Sequence, residues 1–448
     1  MDHQFAYTEE QLAELAHDLI AQAQAAGASD VKVSLSEMAG LSVEVIDGRV
    51  NTRSQHAKSG LSLTVFRGDR QGTTHSTDFS AGNLGRMVSK ALDIARYTNE
   101  DPHAGLVDGD GLSRFYADLK LDNPWNLSIE EALEHAHRVE AGIRAAGSEV
   151  RSDGASLSTS RSQFQLVTSR GFCRTTTRTD HIIAARVIAN RNGQNKPDSW
   201  SDYHIAPHRL QAPEATGERA ARSALEALGG CSISSRSCPV LLAPRAAHSL
   251  TQHFFQAVNG SELSRGSSFL RDSLGQVIFA EHIDVLEDPF LVGGTASACF
   301  DTDGVAGQRR AVVERGMVSG YFLGAYSARR LGMVSTGNAQ GAHNLTLKSQ
   351  LTRPEDDLPA MLRKLHTGLL VTHLMGDGVR LASGDYSRAA QGFWVENGQI
   401  QFPIEQITIA GHLREMFAGI VAVGSDTLTQ GNISSGSVLI DRLRIGGQ

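Results

Sequence analysis

Cysteine is scarce and scattered in this chain. The four thiols, Cys173, Cys231, Cys238 and Cys299, form no Cys-x-x-Cys pair, and the spacing of Cys231 and Cys238 matches no common zinc module. They read as free thiols in a reducing compartment, not as a disulfide frame. Excess positive charge is also missing. A formal net charge of −7 argues against a broad nucleic-acid-binding surface. Long apolar runs are absent, and the best near the C-terminus, Phe417 to Val423, is far too short to cross a bilayer. The start, Met1-Asp2-His3-Gln4, is not a basic segment leading into an apolar one, so no secretory signal is expected. These absences together point to the cytoplasm, with neither membrane nor nucleic acid as a partner. There is no Walker A loop, no dinucleotide fingerprint and no Gly-x-Ser-x-Gly elbow with plausible partners.

What is present is the grammar of a globular protein. Apolar residues make up 40% and charged residues 20% of 448, and that length favours two domains over one. Leu12, Leu15, Ala16, Leu19, Ile20 and Ala23 recur at helical spacing over 9–26. Alternating segments follow (Val31, Val33, Leu35; Leu41, Val43, Val45; Leu61, Leu63, Val65), with Asp47-Gly48 as a hairpin turn. A helix is expected over 80–97 with Ser80 as its N-cap. A Gly- and Asp-rich loop opens at Asp101-Pro102 and runs to about 126. Ser128 and Glu131 form a capping box for the next helix. Strand grammar then returns over 157–188, echoing the earlier region and suggesting an internal duplication. A helix over 213–228 closes this part. The reading is α+β in two domains. Residues 1–230 form a helix and antiparallel-sheet domain, 229–237 a linker, and 238–448 a β-rich sandwich or barrel-like domain. The second domain opens with the strand Pro239 to Ala243 and a helix over 245–258. Short Gly-punctuated strands follow, such as those around Glu314-Arg315-Gly316 and Glu396-Asn397-Gly398, with one further helix over 355–371.

Candidate chemistry is thin. His248 and His253 stand five residues apart on a good helix, which turns the second ring about 140° from the first. The residue after His248 is Ser249, where a zinc hydrolase needs a Glu as general base. Both histidines therefore read as packed or solvated. His343, His366 and His373 are scattered, and each alone is more often structural than a ligand. Gly384-Asp385-Tyr386-Ser387-Arg388 reads either as a tight turn before the strand Gly392 to Val395, or as a loop that contacts a peptide or partner.

The last segment, continued by Gly392-Phe393-Trp394-Val395-Glu396-Asn397-Gly398, resembles the C-terminal signature of the TldD/PmbA family on its PmbA (TldE) side. Phe269-Leu270 with Asp272-Ser273-Leu274-Gly275 is similar to that family as well. So are Tyr326 to Gly332 with Ser335-Thr336-Gly337, Ile407 to Gly411 with Val423 to Asp426, and Ala91 to Thr98. The likeness runs over essentially the whole chain. It implies a metalloprotease made of a TldD-like and a PmbA-like subunit, which degrades or trims unfolded peptides in a cavity. Links to peptide-antibiotic maturation and antitoxin turnover come with it. The older label of DNA gyrase modulator gains no support from the acidic charge.

In that family the zinc site lies in TldD, on a His-Glu-x-x-x-His helix with a distant Cys. Counting back from Arg265-Gly266-Ser267-Ser268 sets Thr251, Gln252 and Gln256 on the motif, and Ser435 falls at or near the Cys. A hydroxyl and two carboxamides match neither imidazole nor thiolate as zinc ligands, and Gln252 cannot take a proton from water. The resemblance therefore implies a chain with no catalytic residue and no zinc of its own. The zinc is expected in a TldD-like partner. The chain would pair with that partner, or with itself when alone. His253, Asp385, Tyr386, Arg388 and Trp394 are the expected peptide or partner contacts.

Overall fold

The computed structural model describes residues 5–447; the start Met1 to Gln4 lies outside them. The first half of the chain repeats one unit. Helix α1 (Glu9–Ala25), strands β1 (Asp30–Ile46), β2 (Arg49–Arg67) and β3 (Arg70–Ser76) and helix α2 (Ala81–Tyr97) are followed by α3 (Ile129–Ala145), β4 (Val150–Thr168), β5 (Cys173–Arg191), β6 (Gln194–His204) and α4 (Pro213–Glu226). The six strands make one antiparallel sheet in the order β3-β2-β1-β4-β5-β6, with the first strand of each unit side by side at its centre. Alternation decides which face is covered. Val31, Val33 and Leu35 pack with α1 and α2, while Leu41, Val43 and Val45, on the same side of β1, pack with α3 and α4. All four helices therefore lie on one face of the sheet.

Ser128 with Glu131 forms the expected capping box at the start of α3, and Thr8 with Gln11 forms one at α1 that the sequence reading did not name. Ser80 holds the N-cap position of α2, but its side chain makes no cap bond; its hydroxyl donates to Asp78 instead. Asp47-Gly48 turns with φ of 49° and 75°, the double positive φ of the hairpin turn that matches strand twist. Arg315-Gly316 and Asn397-Gly398 do the same.

The second half adds β7 (Arg236–Leu242), α5 (Pro244–Ala257), α6 (Gly260–Arg265), β8 (Ile283–Asp288), β9 (Arg310–Glu314), β10 (Met317–Val318), α7 (Ala325–Arg330) and β11 (Asn344–Ser349). Then come α8 (Leu358–Leu365), β12 (Gly368–Met375), β13 (Val379–Arg380), β14 (Asp385–Glu396), β15 (Gln399–His412), α9 (Leu413–Ala418), β16 (Ile420–Val423), β17 (Leu428–Gln430), β18 (Ile433–Ser435) and β19 (Val438–Gly446). Strands β12, β7, β19, β15 and β14 pair in turn, and β14 pairs back to β12, closing a barrel. A second sheet, β10-β9-β8-β11-β18-β17, stands beside it. Helix α5 packs on β12 of the barrel and on β17 and β18 of the second sheet, so it lies between the two.

One expected element is corrected. The helix read over 355–371 ends at Leu365, and 368–375 is a barrel strand. His366, with φ of 57°, reverses the chain between them. The run Gly368-Leu-Leu-Val371 has no periodicity to tell a buried strand from a buried helix. The loop expected over 101–126 is irregular apart from one short turn at Gly109–Gly111, and it is tied to the second half. Arg329 on α7 donates to the carbonyls of His103, Gly105 and Leu106, and Phe115 packs on Phe290 with ring centres 4.3 Å apart.

Candidate functional site

Helix α5 begins at Pro244, whose missing N–H costs nothing at that position. Its buried stripe is Ala246, Ala247, Leu250, Thr251, Phe254 and Ala257. Phe254 anchors the stripe edge-on against Phe279 and Phe417, with centroids 5.0 and 6.0 Å away. That stripe fixes what the rest of the helix presents. Thr251 falls inside the core at 2% exposure, and its hydroxyl has no hydrogen-bond partner among the described residues. Gln252, His253 and Gln256 are half-buried on the flank.

His253 Nδ1 lies 3.3 Å from Gln256 Oε1 and so carries the proton of that bond; Nε2 is buried with no partner among the described residues. Its ring meets Tyr386 edge-on at 6.0 Å. Burial pushes the imidazole pKa below its ordinary value, and the nearby charge of Arg388 adds to this. Burial also lowers His248, against a backbone contact at Gln430 that raises it. Both rings are therefore neutral at neutral pH. The residue spacing alone would not have excluded this pair, because the His-Glu-x-x-x-His pattern separates its histidines by the same interval. What separates them is that His253 turns to β14 while His248 meets β17.

Strand β18, which ends at Ser435, packs on the same helix. Ser435 is 1% exposed, and its hydroxyl donates to the Gly436 carbonyl at 2.9 Å. Thr251, Gln252 and Gln256 thus lie on α5, and Ser435 ends a strand that packs on that helix. Their donor set does not fit zinc. It offers two hydroxyls, one already spent on a carbonyl, and two neutral carboxamides. Among the described residues, no group of three or more His, Cys, Asp and Glu side chains is placed to hold a metal ion.

The other expected contacts are dispersed. Tyr386 is buried beside His253, and its phenol is pushed up to about 12 by burial. Asp385 is exposed and accepts from Ser383 Oγ at 2.6 Å. Arg388 donates to the carbonyls of Gly376 and Leu374, pinning the loop before β13. Trp394 belongs to the barrel core, donating to Glu396 at 2.9 Å beneath the Arg236 guanidinium. His366 ends α8. His343 is buried against Glu287 at 3.0 Å.

His373 takes part in a cluster that sequence reasoning missed. Its Nε2 lies 2.9 Å from Asp198 Oδ1, across 175 residues of chain, and Arg245 Nη1 lies 3.1 Å from the same oxygen. Burial alone would raise the Asp198 carboxyl. Hydrogen bonds from His373 and Ser223 and the charge of Arg245 outweigh it and hold the group at about 2. No local motif marks such a node, since its members come from β6, α4, α5 and β12.

A duplicated, helix-backed sheet joined to a closed barrel, with α5 lodged between barrel and second sheet, defines the class as a two-part α+β protein. Three family descriptions match in succession. They are PmbA/TldA metallopeptidase domain 1 over 31–95, the central domain over 122–228 and the C-terminal domain over 235–447. The chain belongs to the PmbA/TldD metallopeptidase family. It is 39% identical to metalloprotease PmbA of Escherichia coli O157:H7, covering 95% of this chain and 94% of that one. It is 35% identical to a metalloprotease PmbA homolog of Haemophilus influenzae over 98% and 97% of the two chains. Its fold is that of the crystal structure of TldE from Thermococcus kodakarensis, with a TM-score of 0.85 at 17% identity over 97% of this chain and 100% of that one.

Proposed function

We propose that this chain is the non-catalytic subunit of a cytoplasmic, two-subunit metalloprotease. It shapes the chamber in which a TldD-like partner, carrying the zinc, degrades or trims unfolded peptides. The observation that carries this reading is the donor chemistry on α5 and β18. Counted back from Arg265-Gly266-Ser267-Ser268, Thr251, Gln252 and Gln256, with Ser435 at or near the last position, fall where the resemblance implies two imidazoles, a carboxylate and a thiolate, and none of the four can replace its counterpart. Full-length similarity to PmbA-named relatives supports a retained role for the rest of the frame. In the indicated cellular settings the peptides would be antibiotic precursors or antitoxins. The test is a peptide-cleavage assay of this chain alone, of a TldD-like protein alone and of the mixture. Cleavage is expected from the mixture and not from this chain. Zinc-dependent cleavage by this chain alone would overturn the reading in favour of an independent protease. Peptide binding without any cleavage in the mixture would favour a chaperone-like homodimer.

A further inference from the structure

The barrel is split on one side. Strand β19 pairs with β16 through Val438–Ile440 and with β15 through Arg444–Gly446. Between these two pairings, residues 441–443 face neither strand, and α9 fills the corner with Leu413, Met416 and Phe417. Outside the corner is a cleft of 850 Å³, within the range of small-ligand sites. Its lining includes Tyr386, whose ring also meets His253 of α5 edge-on. Its walls carry charges of both signs. Glu415 projects from α9. Asp441 sits at the end of that helix, so close that a Cβ added to Gly419 would lie 2.5 Å from its Oδ1. Arg442 and Arg444 are two residues apart on β19 and exposed. None of these four makes an ion pair among the described residues, whereas about half of the other arginines are bonded to carboxylates or backbone carbonyls. The neighbouring groups are already engaged: His412 Nε2 bonds the Ser383 carbonyl and Asp385 accepts from Ser383.

We propose that this cleft binds a short peptide segment carrying a basic and an acidic side chain. The basic group sits between Glu415 and Asp441, and the acidic group sits on Arg442 and Arg444. A ligand of one charge sign would satisfy one pair and be repelled by the other, so the cleft selects for mixed charge. This site is separate from the neutral surface of α5. Its occupancy can be measured on this chain alone, without a partner or hydrolysis, so it stands or falls apart from the subunit reading above.

The test is isothermal titration of the full chain with the blocked peptide acetyl-Lys-Ala-Glu-Lys-Ala-Glu-amide. The same peptide with Gln at every charged position is the control. Saturable binding of the charged peptide alone is expected. Arg442→Ala with Arg444→Ala, and separately Glu415→Gln with Asp441→Asn, should each weaken it by about tenfold or more. All four side chains are solvent-facing, so unchanged melting temperatures will show that both variants fold. Equal binding of the Gln peptide, undiminished binding by both variants, or no saturable binding would each overturn the proposal.

Discussion

Burial alone would raise the Asp198 carboxyl, and the neighbours that lower it come from three other elements. A carboxyl held at about 2 in the fold, against about 3.9 in an open chain, is depressed by folding. Its stabilisation is therefore fully present above the unfolded value and is lost as pH falls from about 4 towards 2. The difference amounts to about 2.6 kcal/mol at neutral pH. Asp198→Asn should lower stability by about 2–4 kcal/mol at pH 7, because Arg245 is left beside a neutral group, and should flatten the acid limb of a melting-temperature profile. An unchanged limb in the variant would assign the acid sensitivity to other carboxylates. At α5 the prediction is chemical. Elemental analysis of the purified chain should find no stoichiometric zinc, and added zinc should elicit no cleavage. Near-stoichiometric zinc that disappears in His253→Ala would contradict the reading of Thr251, Gln252 and Gln256 as non-ligands.

At the scale of elements, the sequence was most legible where periodicity and caps agree. The helices starting after Thr8 and Ser128, and the turns at Asp47-Gly48 and Asn397-Gly398, follow from side chains within four residues of one another. The helix read through 355–371 failed because Leu369, Leu370 and Val371 are buried in a strand that is apolar on both faces, so alternation is erased. The same strand closes the barrel, and that closure depends on a residue no pattern flags. At Gly392 an added Cβ would lie 1.8 Å from the Leu370 carbonyl oxygen, on the strand it pairs with. That atom is backbone and cannot step aside. Gly392→Ala should therefore open the β12–β14 seam and cost about 2 kcal/mol or more. Urea unfolding should show the lowered midpoint, and hydrogen exchange should show early opening of 368–375 and 389–395. Undiminished protection there would mean that the seam tolerates the methyl group.

At the scale of the whole molecule, what the sequence concealed is the joint between its halves. Lys32 with Asp303, Asp198 with Arg245 and His373, and Lys196 with Glu405 each join groups far apart in the chain. Ion pairs of this kind leave no local trace. We place the domain boundary at 229–237, where Cys231 and Ile233 already run along the barrel. Limited proteolysis should cut an exposed loop or this segment before either sheet, whereas first cuts within β1 or β14 would count against it. The same logic governs assembly. The second sheet ends in β10 and β17, two- and three-residue edge strands, and Leu274, Val277 and Met317 are exposed at the β10 end. An apolar edge of this kind invites pairing unless something covers it. On the function proposed above, a chain that keeps its family frame throughout while Thr251, Gln252, Gln256 and Ser435 offer no zinc donor set is most simply one wall of a shared chamber. The interface should then bury well over about 1,000 Å² and be apolar at its centre. Sedimentation at micromolar concentration should show a dimer of this chain alone, replaced by a heterodimer when a TldD-like protein is added. Charged substitutions at Val277 and Met317 should weaken assembly while leaving the melting temperature of the monomer intact. A chain that stays monomeric and binds no TldD-like protein would remove both the dimer and the subunit reading built on it.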